Sequence, residues 1–203
     1  MRTLIAATLA GFAVAAPQAG TTAEWKTSNT VERAFAPSGR IRMDLSAGGY
    51  RISGTADNRI RLQWTVRDPR DASKVRTHVN VRGSEATVSA EGPSNNFRVD
   101  IQLPARVDLT VRLSAGELKI KNVAGNKDVE MSAGEMDIDV DKAEDYRRVD
   151  ASVWAGEIHA VPFNAVKGGL FRTFDWTGHG VYNLHAKLKA GEIRFRAAGS
   201  PGQ

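Results

Sequence analysis

Residues 113–140, LSAGELKIKNVAGNKDVEMSAGEMDIDV, contain one unit twice: Leu113, Ser114, Ala115, Gly116, Glu117, Leu118 and Ile120 return 18 residues later as Met131, Ser132, Ala133, Gly134, Glu135, Met136 and Ile138. Leu113 and Ala115 alternate with Arg112 and Ser114, the period-2 pattern of a half-buried strand. Continued alternation would turn Glu117 inward. Instead the apolar set resumes at Leu118 and Ile120, so the parity slips by one residue across Gly116 and Glu117. A glycine at such a slip marks a β-bulge or corner, where the backbone takes a conformation that a Cβ hinders.

Weaker copies at residues 45–52 (LSAGGYRI), 153–160 (VWAGEIHA) and 188–195 (LKAGEIRF) add corners at Gly48, Gly156 and Gly191 to those at Gly116 and Gly134. Stacked corners imply parallel rungs. In that register Lys119 lies beside Asp137 and Lys121 beside Asp139, and Leu118, Met136 and Ile158 form a buried column. Eighteen extended residues trace a path of roughly 60 Å, enough to circle a small prism once. The pattern predicts an all-β protein, a parallel β-helix-like solenoid of about 18-residue coils. The alternative is an antiparallel sandwich or meander in which each unit is a hairpin, and the opposite charges of the Lys and Asp columns favour the parallel form.

Outward from the repeats, residues 1–15 carry one arginine, an apolar run from Leu4 and small residues at Ala13 and Ala15, which reads as a secretory signal peptide cleaved after Ala15 or as late as Ala23. Residues 24–197 then form a single β-repeat domain, with 198–203 as a disordered tail. Residues 21–37 are weakly patterned and read as a lead-in or cap. Alternating strands are expected from Ile41, Ile60, Val79, Ala86, Phe97 and Val107, with a loop at 68–74 (DPRDASK) and another at 91–96 (EGPSNN). Residues 142–150 can make one helical turn.

No other apolar stretch is long enough for a transmembrane helix. The chain has no cysteine, hence neither disulfides nor a lipid-modified cysteine. The net charge of +5 is spread over strands among Asp and Glu, which argues for a solvated mixed-charge surface and against nucleic acid.

The SAGE-φ-x-I units at Ser114 and Ser132, their variants around Gly156 and Gly191, the step at Leu103-Pro104 and the stretch Trp176 to Tyr182 resemble the bacterial putative-adhesin family of exported β-strand-repeat proteins. The resemblance covers roughly residues 39–195. It implies an envelope protein, periplasmic or extracellular, and supplies no catalytic residues.

No nucleophile elbow, zinc-protease helix motif or phosphate loop is present. His78, His159, His179 and His185 lack metal-ligand spacing. Two features carry chemistry. Glu117, Glu135, Glu157 and Glu192 share one repeat position, and at least the first three would stack, with Asp137 and Asp139 nearby, as a weak Ca²⁺ site; the competing reading is a solvated corner without any cofactor. Trp154 replaces the serine of the other copies at an outward position, with His159, Trp176 and Tyr182 near it in sequence. An exposed aromatic strip can hold a sugar ring. The competing reading has residues 163–180 folding back over Trp154 as a cap that covers the terminal edge. The expected function is a non-enzymatic binding or structural module for envelope polysaccharide or an envelope protein. Alternatives are a polysaccharide-active β-helix enzyme and a regulatory partner of an envelope complex.

Overall fold

The computed structural model describes residues 26–197. The predicted signal peptide and the tail 198–203 lie outside the described residues. Twelve strands follow in order: β1 (Lys26–Ala34), β2 (Arg40–Leu45), β3 (Gly48–Thr55), β4 (Arg59–Val66), β5 (Arg76–Arg82), β6 (Glu85–Glu91), β7 (Phe97–Pro104), β8 (Asp108–Lys121), β9 (Lys127–Val140), β10 (Tyr146–Ala160), β11 (Ala165–Thr177) and β12 (Tyr182–Ala197). They form one mixed sheet, all-β as the sequence predicts. Pairing is parallel among the repeat strands β8, β9, β12 and β10, and in both flanking contacts of the broken strand β2–β3. It turns antiparallel towards both ends, where β4 pairs with β7, β1 with β4, β5 with β6, and β11 with β10.

Each repeat strand is bent at its glycine into two arms, and the glycines stand in register from Gly48 through Gly116, Gly134 and Gly191 to Gly156. Gly134 shows why no other residue fits: its φ is +124°, and a Cβ there would lie 1.9 Å from the carbonyl oxygen of Gly116. Each corner is closed by the backbone of its neighbour, so the ladder of glycines is a packing requirement as well as a conformational one.

The order of the rungs departs from the sequence. β12, the last strand, sits between β9 and β10, so Met136 faces Ile193 rather than Ile158. The buried columns are Tyr50, Leu118, Met136, Ile193, Ile158 and Ile52, Ile120, Ile138, Phe195, Ala160, all 3% exposed or less. Removal of this surface from water at about 25 cal/mol per Å² is the main stabilising term. Phe195 faces Ala160, so a large side chain uses the space that a small one leaves.

One local expectation is corrected and two are made specific. The lead-in at 21–37 contains strand β1, an antiparallel edge with Val31 packed on the core. The loop at 68–74 holds a 3-10 turn, Pro69–Lys74, begun by Asp68, whose carboxylate accepts from the Arg70 amide at 2.9 Å. The helical turn in 142–150 shrinks to Ala143–Asp145, because β10 starts at Tyr146.

Candidate functional site

The first arms of the repeat strands turn Leu, Val and Met inward and leave every second residue on one outward face. Register then builds rows across strands. Thr110, Asp128, His185 and Asp150 form one row, and Asp44, Arg112, Glu130, Lys187 and Ser152 form the next. The residue just before each corner makes the third: Ser46, Ser114, Ser132, Lys189, Trp154 and Phe171, which follow from the pairs flanking them. At about 4.8 Å per strand this row runs roughly 24 Å. It passes from hydroxyls through an amine to two aromatic rings.

Beside the serine end of this row lies an open groove of about 750 Å³, lined among others by Asp44, Glu91, Arg112, Glu130, Lys187 and Lys189. Arg112 donates to Asp128 Oδ2 at 2.7 Å and lies 3.5 Å from Glu130. The hydrogen bond to Asp128 keeps its guanidinium more firmly protonated than usual. His185 Nδ1 and Asp150 Oδ1 are 2.5 Å apart, and Asp128 Oδ1 is buried without a partner. One ligand atom each from Asp128, Glu130 and His185 lies within 4.8 Å of the other two, the grouping among the described residues that could hold a metal ion. Arg112 already engages both carboxylates. The sequence did not suggest this grouping, because it depends on β12 standing next to β9.

At the aromatic end, Trp154 is 57% exposed and meets Phe171 edge to face with centroids 5.7 Å apart. The other predicted contact residues are elsewhere. Trp176 packs on Phe163 at 4.8 Å, Tyr182 packs on Tyr146 at 6.2 Å, and both rest against the core. His159 lies on the second arm, bonded to Glu157 at 2.8 Å. The segment 163–180 does cover the edge of β10, as strand β11, and leaves Trp154 open.

The glutamate column takes in all four residues of the shared repeat position, in the order Glu117, Glu135, Glu192, Glu157. Lys119 bonds Glu117, Arg194 bonds Glu192 and reaches Glu135 at 3.1 Å, and His159 joins Glu157 to Glu192. The hydrogen bond from Lys119 holds the Glu117 carboxyl below its ordinary range. Asp137 neighbours Lys119 in register, but its ion pairs go to Arg194 and Arg196, which cover it almost completely. Burial raises the Asp139 carboxyl. A column of like charges is thus laced by the chain's own cations.

A second unusual group is internal. Lys127 is 1% exposed and stands in the apolar column of Leu109 and Leu184. Its ammonium donates to Tyr146 Oη at 2.8 Å and to the Gly125 carbonyl at 3.3 Å, and burial pushes it down to about 8.

The bent parallel rungs have a counterpart among solved structures. A putative cell adhesion protein from Clostridium sporogenes matches with a TM-score of 0.55 over 84% of this chain and 99% of that one, at 14% identity. The two chains share a fold. Putative adhesins from Parabacteroides distasonis and Bacteroides fragilis match at 17% and 12% identity, covering 58% and 83% of this chain and 54% and 96% of theirs, with TM-scores of 0.26 and 0.31. No family model matches the chain, and no curated protein matches it by sequence. The resemblance carried by the SAGE units is therefore met at the level of the fold. Among the described residues no helix is long and apolar enough to cross a membrane.

Proposed function

We propose that this putative-adhesin fold is an exported, non-enzymatic binding module, a β-solenoid of bent rungs whose outward row holds an envelope glycan. The observation that carries the reading is the third row itself, in which Ser114, Ser132 and Lys189 lead to the exposed Trp154 and its neighbour Phe171. A sugar has an apolar face and a rim of hydroxyls. An exposed indole suits the face, while serines, Arg112 and Glu130 in the adjoining groove suit the rim. Placement outside the cytoplasm rests on the apolar run from Leu4 to Ala15.

The groove carboxylates favour binding over hydrolysis. Glu130 lies 3.5 Å from Arg112 and Asp44 is engaged by Arg42 at 3.2 Å, so these two groove carboxylates serve as oriented acceptors. The test is sedimentation of the protein with isolated envelope polysaccharide at two salt concentrations. Trp154→Ala should weaken saturable binding about tenfold, the equivalent of about 1.4 kcal/mol, with folding unchanged. Binding that ignores the substitution, or that vanishes with salt alone, overturns the reading.

A further inference from the structure

All the large hydrophobic side chains exposed among the described residues, Trp154, Val161, Val166, Leu170, Phe171 and Val181, belong to residues 154–181, at the β11 end of the sheet. Among the described residues β11 pairs with β10 on one side and with no strand on the other. At the opposite end the outer strands β1 and β5 carry Glu32, Arg33, Arg76 and Arg82, charges of the kind that discourage edge pairing. The β11 edge has an apolar centre instead.

We propose that two copies of this chain join through β11, antiparallel about a two-fold axis at Phe171, so that the two sheets become one. The sequence of β11, AVKGGLFRTFDWT, is self-complementary in that register. Phe171 faces Phe171, Leu170 faces the aliphatic stem of Arg172, and Lys167 faces Asp175 of the second copy, twice. A register centred on Arg172 sets two guanidinium groups against each other, and one centred on Leu170 leaves Lys167 opposite Thr173. Charge complementarity therefore selects the register as well as the partner.

The bend of β11 permits the pairing. The strand turns at Gly169 and Phe171, with φ of +117° and +53°, and Gly169 stands opposite the corner of β10 at Gly156. A two-fold axis through the corner exchanges the two arms of a bent strand. The second β11 then fits against the first as β11 already fits, antiparallel, against β10. Two side chains now hold carbonyl oxygens of their own strand: Arg172 Nε donates to Gly168 at 2.6 Å and Lys167 Nζ to Thr173 at 2.8 Å. Asp175 lies 3.8 Å from Arg148. These are exposed contacts of small net worth, readily exchanged for main-chain and cross-strand partners. Pairing would also join Trp154 and Phe171 to their twins as a continuous strip of four rings. The inference stands on the edge and not on glycan binding, and its test needs no glycan.

The experiment is analytical ultracentrifugation of the full chain over about a hundredfold range of concentration, with melting temperature as a folding control. Wild type should reach twice the monomer mass. Phe171→Asp and Lys167→Asp should remain monomeric with the melting temperature of the wild type at its most dilute, where it too is monomeric, and the exchange Lys167→Asp/Asp175→Lys should restore the dimer. A wild type that stays monomeric throughout, a dimer indifferent to Phe171→Asp, or an exchange variant that fails to recover each overturns the proposal. Polysaccharide binding by a monomeric wild type would leave the functional reading standing while this one fell.

Discussion

Replacing Lys127 by methionine should stabilise the fold at neutral pH and remove a pH dependence that the wild type shows in mild alkali. The ammonium occupies an apolar column between Leu109 and Leu184 and is 1% exposed. Desolvation drives its pKa from 10.5 to about 8, against the pull of Asp141, Asp108 and Asp145. A fall of that size corresponds to about 3 kcal/mol in favour of the neutral amine in the folded chain. Below about pH 8 both states carry the proton and the whole penalty is present. Between about 8 and 10.5 the unfolded chain binds more protons than the folded one, so stability rises with pH, and above that range the penalty is gone. Methionine keeps the length and carries no charge, but it leaves the Tyr146 hydroxyl without its 2.8 Å donor, which costs about 1 kcal/mol or more. The net gain near pH 7 is about 1–2 kcal/mol, and the double variant with Tyr146→Phe recovers the remainder. Urea denaturation of wild type and variant near pH 7 and near pH 10 measures it. Equal differences at the two pH values, or a methionine variant weaker by several kcal/mol near pH 7, would refute the argument and show that the bonds to Tyr146 and Gly125 outweigh burial.

Other consequences are open to simple tests. Gly134→Ala places a Cβ 1.9 Å from the Gly116 carbonyl at a φ of +124°, so urea denaturation should show a loss of more than about 3 kcal/mol. Arg194→Met withdraws the cation shared by Glu135, Asp137 and Glu192, and should cost about 1–3 kcal/mol at neutral pH. Urea denaturation of variant and wild type side by side measures the loss. Because each glutamate of the corner column already has a lysine, arginine or histidine partner, the melting temperature should be the same in millimolar Ca²⁺ and in chelator. A rise of several degrees with Ca²⁺ that is lost in Glu135→Gln would assign the column to the ion.

What could be read from the chain alone divides by how local the cause is. The corners were legible because a parity slip at a glycine is a statement about a few adjacent residues, and Gly116, Gly134, Gly156 and Gly191 each make it independently. Strand β1 was not, since an edge strand with one partly buried valine, Val31, needs no alternation to form. The pairing of Trp154 with Phe171 depends on the tight reversal after Ala160, where Asn164 takes a φ of +54°, and on counting both strands back from it. Rung order is the deepest miss, and its physical cause is in the charges. Any two units match equally well in their apolar columns, so burial cannot say which strand follows which. The polar positions can. Asp137 and Asp139 of β9 face Arg194 and Arg196 of β12 on one side, while β8 offers Lys119 beside Asp137 on the other. Strand β10 has His159 where β12 has Arg194, and its strand ends at Ala160, the position of Phe195, so it has nothing to set against Asp139. An acidic strand between two basic ones sets a cation beside Asp137 on both sides and beside Asp139 on one. The Lys and Asp columns that suggested parallel pairing therefore also held the order, once the last strand was admitted to the comparison.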